Sequence, residues 1–240
     1  MQLKEEINSV IIPCGGRGIR MKSLTDNQQK CLLEINGEPI LYRIVKKFIS
    51  LGFVNFYFIT RYQSGHVKDF FGDGTNLGIN TYYIENEMNS TAYGIYLNVN
   101  LLPDKFFYSH GNILVENYLI SKLLKAAYLK PSQSIFAVTE NPIAKTHPVF
   151  LIKDEKIIEI ERHPTNNVEG AYKYSIGVSY INKKNISHLT NDKDFNDFTT
   201  EQLFRNQSIA YIEYNEFWLH LEIEDDLTNF KNFVDDERFK

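Results

Sequence analysis

An apolar run, Val10 to Ile12, ends in Pro13 and Cys14 and is followed at once by Gly15, Gly16 and Gly18, with Arg17 between them. Glycine lets the backbone turn sharply and come close to a ligand, and the N–H groups of such a turn can hold phosphate oxygens. Arg17, Arg20, Lys22 and Lys30 bring cations to the same stretch. A close backbone approach combined with several positive side chains suits a polyphosphate. The spacing excludes two other phosphate loops. No glycine, four residues and Gly-Lys-Ser/Thr occur in that order, and Met21 stands where the third glycine of a dinucleotide fingerprint belongs.

What the chain does contain is Gly15-Gly16-Arg17-Gly18-Ile19-Arg20-Met21, then Lys30 after a polar loop, then Glu34-Ile35-Asn36-Gly37-Glu38-Pro39-Ile40-Leu41. This string resembles the signature of the sugar-phosphate nucleotidyltransferases: G-G-x-G-T/S-R-L, a P-K pair and a G-x-P-[LIM]. The resemblance continues in Phe71-Gly72-Asp73-Gly74 and, partially, in Asn89-Ser90-Thr91-Ala92. It implies transfer of a nucleoside monophosphate from a nucleoside triphosphate to a phosphorylated small molecule, with release of pyrophosphate. A sugar 1-phosphate is the expected acceptor, and a cytidylyltransferase using a phosphocholine-like or other phospho-amine acceptor is the alternative.

Both partners are anions, so such a protein has chiefly to neutralise and align them. The resemblance gives Arg20 and Lys30 catalytic roles, at the β- and γ-phosphates and near the α-phosphate respectively. Pro13, Cys14, Gly15, Gly16, Arg17, Gly18, Asn89, Ser90, Thr91 and Gly111 would hold the nucleotide. Arg162, in place of a family lysine, would grip the acceptor together with Ser175 and Gly177. The family's bridging ion is magnesium (Mg2+), and its two metal positions fall here on Asn112 and Glu222, the latter aligned on Trp218 and on Asp226-Leu227. Asparagine in place of aspartate is the main departure. It leaves open a less acidic but active site, with His220 as a further contributor, or a protein of another class that binds nucleotide or sugar phosphate for regulation with little or no catalysis.

The elements that must carry these residues follow from periodicity. After Pro39, apolar residues recur at three- and four-residue steps from Ile40 to Ile49, opposite Arg43, Lys46 and Lys47, and Gly52 ends the pattern. Phe53 to Thr60 reads as a strand, so the chain opens with a βαβ unit whose loop lies at the carboxyl end of the first strand, where open α/β sheets bind ligands. Further helices are expected over 64–71, 93–101, 118–128 and 225–233. Further strands are expected over 79–84, 105–109, 134–138, 148–153, 156–161 and 174–181. The expected fold is α/β: a single domain of nucleotide-diphospho-sugar transferase (GT-A/Rossmann-like) type over 1–240, with a mixed, mostly parallel sheet of seven or eight strands flanked by helices. Residues 1–135 form its nucleotide-binding half, and 136–240 the acceptor half and C-terminal metal segment.

Of the 240 residues, 43% are hydrophobic and 23% charged, enough for a sizeable core, and the net charge of −4 argues against nucleic acid as a partner. Cys14 and Cys31, at no framework spacing, read as reduced thiols of a cytoplasmic protein. MQLKEEINSV lacks the apolar centre of a signal peptide, and no run of about 18 apolar residues suggests a membrane span. Oligomeric state is not written in the sequence, and a homo-oligomer stays open.

Overall fold

The computed structural model describes residues 6–86, 91–141, 148–161, 172–186 and 209–233. In chain order the strands and helices are β1 (Ser9–Pro13), β2 (Glu34–Ile35), β3 (Glu38–Pro39), α1 (Ile40–Ser50), β4 (Asn55–Thr60), α2 (Ser64–Phe71), β5 (Asn80–Glu85), α3 (Thr91–Leu97), β6 (Lys105–Ser109), β7 (Ile113–Leu114), α4 (Asn117–Leu129), β8 (Ser134–Thr139), β9 (Val149–Lys153), β10 (Lys156–Glu161), β11 (Tyr172–Asn182), β12 (Ile209–Glu213), β13 (Leu219–His220) and α5 (Glu224–Lys231).

Among the described residues nine strands build one mixed sheet in the order β10-β9-β11-β6-β1-β4-β5, with β8 beside β11 and β12 beside β8. The pairings make β1, β4, β5, β6, β8, β9 and β12 run in one direction, while β10 and β11 run against them. The sheet is therefore mostly parallel, as expected, with one strand more than the seven or eight anticipated. The addition is β12, a five-residue run that pairs in parallel with β8 from Ile209↔Ser134 to Glu213↔Val138.

β1 lies at the centre of the sheet, and Val10, Ile11 and Ile12 are fully buried on its two faces. Burying a side chain of this kind stabilises the fold by about 1.5–3 kcal/mol. On one face α1 presents Ile40, Leu41, Ile44, Val45 and Phe48, and Phe48, Phe53 and Phe107 meet edge to face. α1 ends as its glycine predicts. Gly52 has φ 88°, Gly52 N–H donates to Ile49 O and Phe53 N–H to Phe48 O, which is the Schellman pattern. That cap takes Phe53 out of the strand, and Val54 N–H turns to Asn8 O, so β4 starts at Asn55 and not at Phe53.

Three other expectations are adjusted. Lys47, placed on the solvated face of α1, is buried against α4 with its ammonium 3.5 Å from Asn117 Oδ1, and burial pulls its pKa down to about 8. The helix expected over 93–101 is α3 followed by a separate 3-10 turn, Val99–Leu101. Strand β11 is longer than 174–181 and its register shifts between Ser175 and Ser179, around Gly177 with φ 80°. Among the described residues no helix is long and apolar enough to cross a membrane.

Candidate functional site

Because β1 pairs with β4 on one side and β6 on the other, the loops that leave their carboxyl ends converge. Cys14 N–H donates to Ile59 O (2.9 Å), Tyr62 N–H to Gly15 O (3.3 Å) and Gly111 N–H to Pro13 O (3.2 Å). A cavity of about 190 Å³ opens there, between Pro13 to Gly16, Gln29 to Cys31, Ile59 to Arg61, Asn86, and His110 to Asn112. Of the residues singled out by the sequence, it brings together Pro13, Cys14, Gly15, Gly16, Lys30, Gly111 and Asn112. A Cβ on Gly15 would meet the Arg61 backbone nitrogen at 2.9 Å, so glycine is what lets the two loops touch.

The glycine loop has its carbonyls occupied and its amides open. Gly15 O is taken by Tyr62, and Gly18 O by Met21 N–H (2.7 Å) and Thr25 Oγ1 (3.0 Å). The buried Gln29 donates from Nε2 to Cys14 O and to Gly16 O (3.0 Å), and its Oε1 accepts from Cys31 N–H (2.8 Å). Among the described residues none of the N–H groups of Gly15, Gly16, Arg17 or Gly18 has a hydrogen-bond partner. Four adjacent donors without acceptors could cradle an anion. Gln29 is the residue that sequence reasoning missed; it stands where the signature's P-K pair has proline, and that departure was the signal available.

Lys30 stands beside this cradle. Gly18, at φ 69°, is where a Cβ would meet Lys30 Cβ and Thr25 Cγ2 at 3.0 Å, so the lysine segment packs directly on the loop. Burial pulls the Lys30 ammonium down to about 8; Glu222 opposes that shift and Arg20 adds to it. Arg20 itself is ion-paired with Glu222, and Lys22 with Glu224 at 2.9 Å. Arg17 lies over the Tyr62 ring, 5.6 Å from its centroid. Cys14 and Cys31 are free and buried, and burial pushes the Cys14 thiol up, with Cys31 beside it adding to the shift.

The C-terminal segment runs beside β7 and Asn112. Antiparallel β13 and β7 pair Leu219 with Leu114 and His220 with Ile113, Leu221 N–H donates to Asn112 O (2.9 Å), and Asn112 Nδ2 donates to Leu221 O (2.8 Å). Asn112 is thus opposite Leu221, the residue before Glu222. The amide nitrogen is committed, which leaves Asn112 Oδ1 as the group that could face a cation. His220 is buried under Trp218, with Nδ1 3.7 Å from Glu222 Oε2. Among the described residues no group of three His, Cys, Asp or Glu could enclose a metal. One carboxylate and one amide oxygen nevertheless suit a hard cation that takes its other ligands from phosphate and water.

The expected acceptor residues are less well gathered. Ser175 is buried with its Oγ accepting from Gly177 N–H (3.1 Å), and neither residue lines the cavity. Thr91 is the first residue of α3. Asn89, Ser90 and Arg162 lie outside the described residues.

A mixed, mostly parallel sheet with an anion cradle over the carboxyl end of its central strand defines a phosphate-binding α/β protein. Residues 9–237 match the family model for nucleotidyl transferase, and the chain belongs to that family. It is 26% identical over 214 residues to the bifunctional protein GlmU of Methanocaldococcus jannaschii, covering 87% of this chain and 50% of that protein. The chain thus spans about half the length of the curated relatives it matches. Among solved structures, a Bacillus anthracis protein named as a glucose-1-phosphate thymidylyltransferase superposes with a TM-score of 0.82 at 20% identity, covering 96% of this chain and 98% of that one. The inositol-1-phosphate CTP transferase from T. maritima superposes with a TM-score of 0.78 at 15% identity, covering 98% and 99%. At these identities the likeness shows the fold.

Proposed function

We propose that the chain transfers a nucleoside monophosphate from a nucleoside triphosphate to a phosphorylated small molecule, with a sugar 1-phosphate as the acceptor. The observation that carries this reading is the set of four adjacent amides, Gly15 to Gly18, that have no hydrogen-bond partner among the described residues, with Lys30 packed against Gly18. In the reaction an acceptor phosphate oxygen attacks the α-phosphorus, the bond from that phosphorus to the β-phosphate bridging oxygen breaks, and pyrophosphate leaves. The cradle amides orient the triphosphate, and Lys30 neutralises the charge that grows at the α-phosphate. Arg20 leaves Glu222 to hold the departing pyrophosphate oxygens.

Asn112 Oδ1 and Glu222 would hold Mg2+, which supplies charge neutralisation between the phosphates. The names of similar proteins support a phosphorylated cyclic polyol or sugar as the acceptor, since one is named for glucose 1-phosphate and another for inositol 1-phosphate. A phosphocholine-like acceptor is the second candidate. The experiment is a thermal-shift panel of CTP, GTP, UTP, ATP and dTTP with magnesium, followed by pyrophosphate release with each acceptor class. A nucleotide-induced shift with release identifies the pair. A shift without release from any acceptor favours a binding protein, a reading that Asn112 in place of a carboxylate also supports.

A further inference from the structure

We propose that Gln29 is a positioning residue that sets both the direction of the cradle amides and their distance from Lys30. This rests on the nucleotide-binding reading above and adds a residue to it. The described peptide bonds are trans, so in each unit the carbonyl oxygen and the next N–H point to opposite edges of one plane. By holding Cys14 O and Gly16 O, the Gln29 amide nitrogen turns the N–H groups of Gly15 and Arg17 away from itself. Tyr62 N–H on Gly15 O does the same for Gly16 N–H. Three successive peptide units are held through their carbonyls, two of them by one side chain.

The other end of that side chain reaches the lysine segment, because Gln29 Oε1 accepts from Cys31 N–H. Lys30 is therefore bracketed by a residue whose side chain is bonded to the loop on one side and to the lysine's own downstream neighbour on the other. Only a primary amide has two donors and an acceptor at one terminus. Glutamate would set a carboxylate against two carbonyls, methionine would fill the space without polar atoms, and asparagine is one methylene short. At 1% exposure the three bonds face no competition from water. The consequence is functional, because triphosphate must meet the amides and the ammonium together, and an error between them separates binding from transfer.

The test compares Gln29→Asn and Gln29→Met with wild type in thermal melts, tripolyphosphate and nucleotide binding by calorimetry, and steady-state transfer. Asn keeps a polar amide but loses length; Met keeps volume but loses every hydrogen bond. Positioning by hydrogen bonds predicts that Asn retains more tripolyphosphate affinity than Met, that Met loses at least about tenfold, and that KM for nucleotide rises while KM for the acceptor stays unchanged. The opposite order, with Met close to wild type and Asn impaired, would mean that Gln29 only fills space, and the proposal falls. Should Met fail to give a cooperative melt, Asn alone decides: tripolyphosphate affinity equal to wild type overturns the proposal, and weakened binding with unchanged acceptor KM upholds it. A wild-type protein that binds neither tripolyphosphate nor any nucleotide would instead defeat the reading of the site itself.

Discussion

Arg20, from the segment after β1, and Glu222, from the segment before the last helix, form an ion pair. The arginine side chain is 59% exposed and the glutamate 12%, so the cation is the partner free to move. Glu222 also lies close enough to Lys30 to hold that ammonium's pKa up against burial. A carboxylate thus stands near both cations that the proposed reaction uses, as an internal counterion.

Replacing that carboxylate separates its two roles. Without metal, Glu222→Gln should tighten tripolyphosphate binding, because Arg20 no longer has to leave a partner. A pair this exposed is worth about 0.2–1 kcal/mol, which limits the gain to about fivefold. With magnesium present, the same variant should bind nucleotide more weakly than wild type. Calorimetry with and without EDTA reads both, and a variant weaker under both conditions would show that Arg20 is held ready by Glu222 and not held back.

Lys30→Ala should lose about 2–4 kcal/mol of transition-state stabilisation, the scale of one preorganised group at a reacting centre. Wild-type turnover in that variant would place Lys30 outside the site.

The pH dependence of Lys30 has a definite sign. Burial brings its pKa from 10.5 to about 8, so from about pH 8 to 10.5 the folded lysine is neutral while the unfolded one keeps its proton. Its contribution to stability accordingly rises with pH across that window, whereas phosphate binding needs the charged form and weakens as pH climbs through 8. KM for nucleotide should rise above pH 8 in wild type. Lys30→Arg should flatten the profile, because a guanidinium keeps its charge. A wild-type KM that stays level from pH 7 to 9.5 would show that the lysine's charge is not used.

Gly177, which the resemblance assigns to the acceptor, is packed closely against His110 and Ile113. A Cβ there would lie 2.6 Å from His110 Cδ2 and from Ile113 Cδ1, and φ is 80°. Gly177→Ala should therefore destabilise the fold by about 1–3 kcal/mol through overpacking and left-handed strain. A melt would show this as a fall of about 2–4 °C per kcal/mol. Near wild-type stability with a raised acceptor KM would return the residue to the acceptor-binding role the sequence suggested.

What could be read from the chain in advance was what repeats or is spaced. α2 and β6 have the bounds expected, because Ser64 to Phe71 and Lys105 to Ser109 are short apolar patterns between clear breaks. Motif spacing singled out Lys30, which packs on Gly18, and Glu222, whose neighbour Leu221 is bonded to Asn112. Three features did not follow. β12 is an isolated five-residue run whose pairing to β8 is settled only by packing. Lys47 falls within a basic cluster of α1, and only the seam with α4 shows it buried. Gln29 matters through bonds to residues 13 and 15 positions away, which no local pattern encodes.

Asn112→Asp tests the metal reading most directly, and the structure sharpens what it should do. Asn112 Nδ2 donates to Leu221 O, a bond that aspartate cannot make, and the new carboxylate would face that carbonyl or turn toward Glu222. Both placements cost energy without a cation, the first by an unpaired acceptor of about 1–3 kcal/mol and the second by like-charge repulsion. The metal-free protein should therefore melt lower, by about 2–4 °C for each kcal/mol lost. With magnesium the balance reverses, since two carboxylates hold a hard divalent ion better than a carboxylate and an amide. The magnesium concentration needed for half-maximal nucleotide binding should fall in Asn112→Asp and rise in Glu222→Ala. Titrating magnesium against nucleotide binding in the three proteins decides the matter: coincident curves would mean that neither residue meets the metal, and that Asn112 serves only to fasten the segment carrying Glu222 to the end of β6.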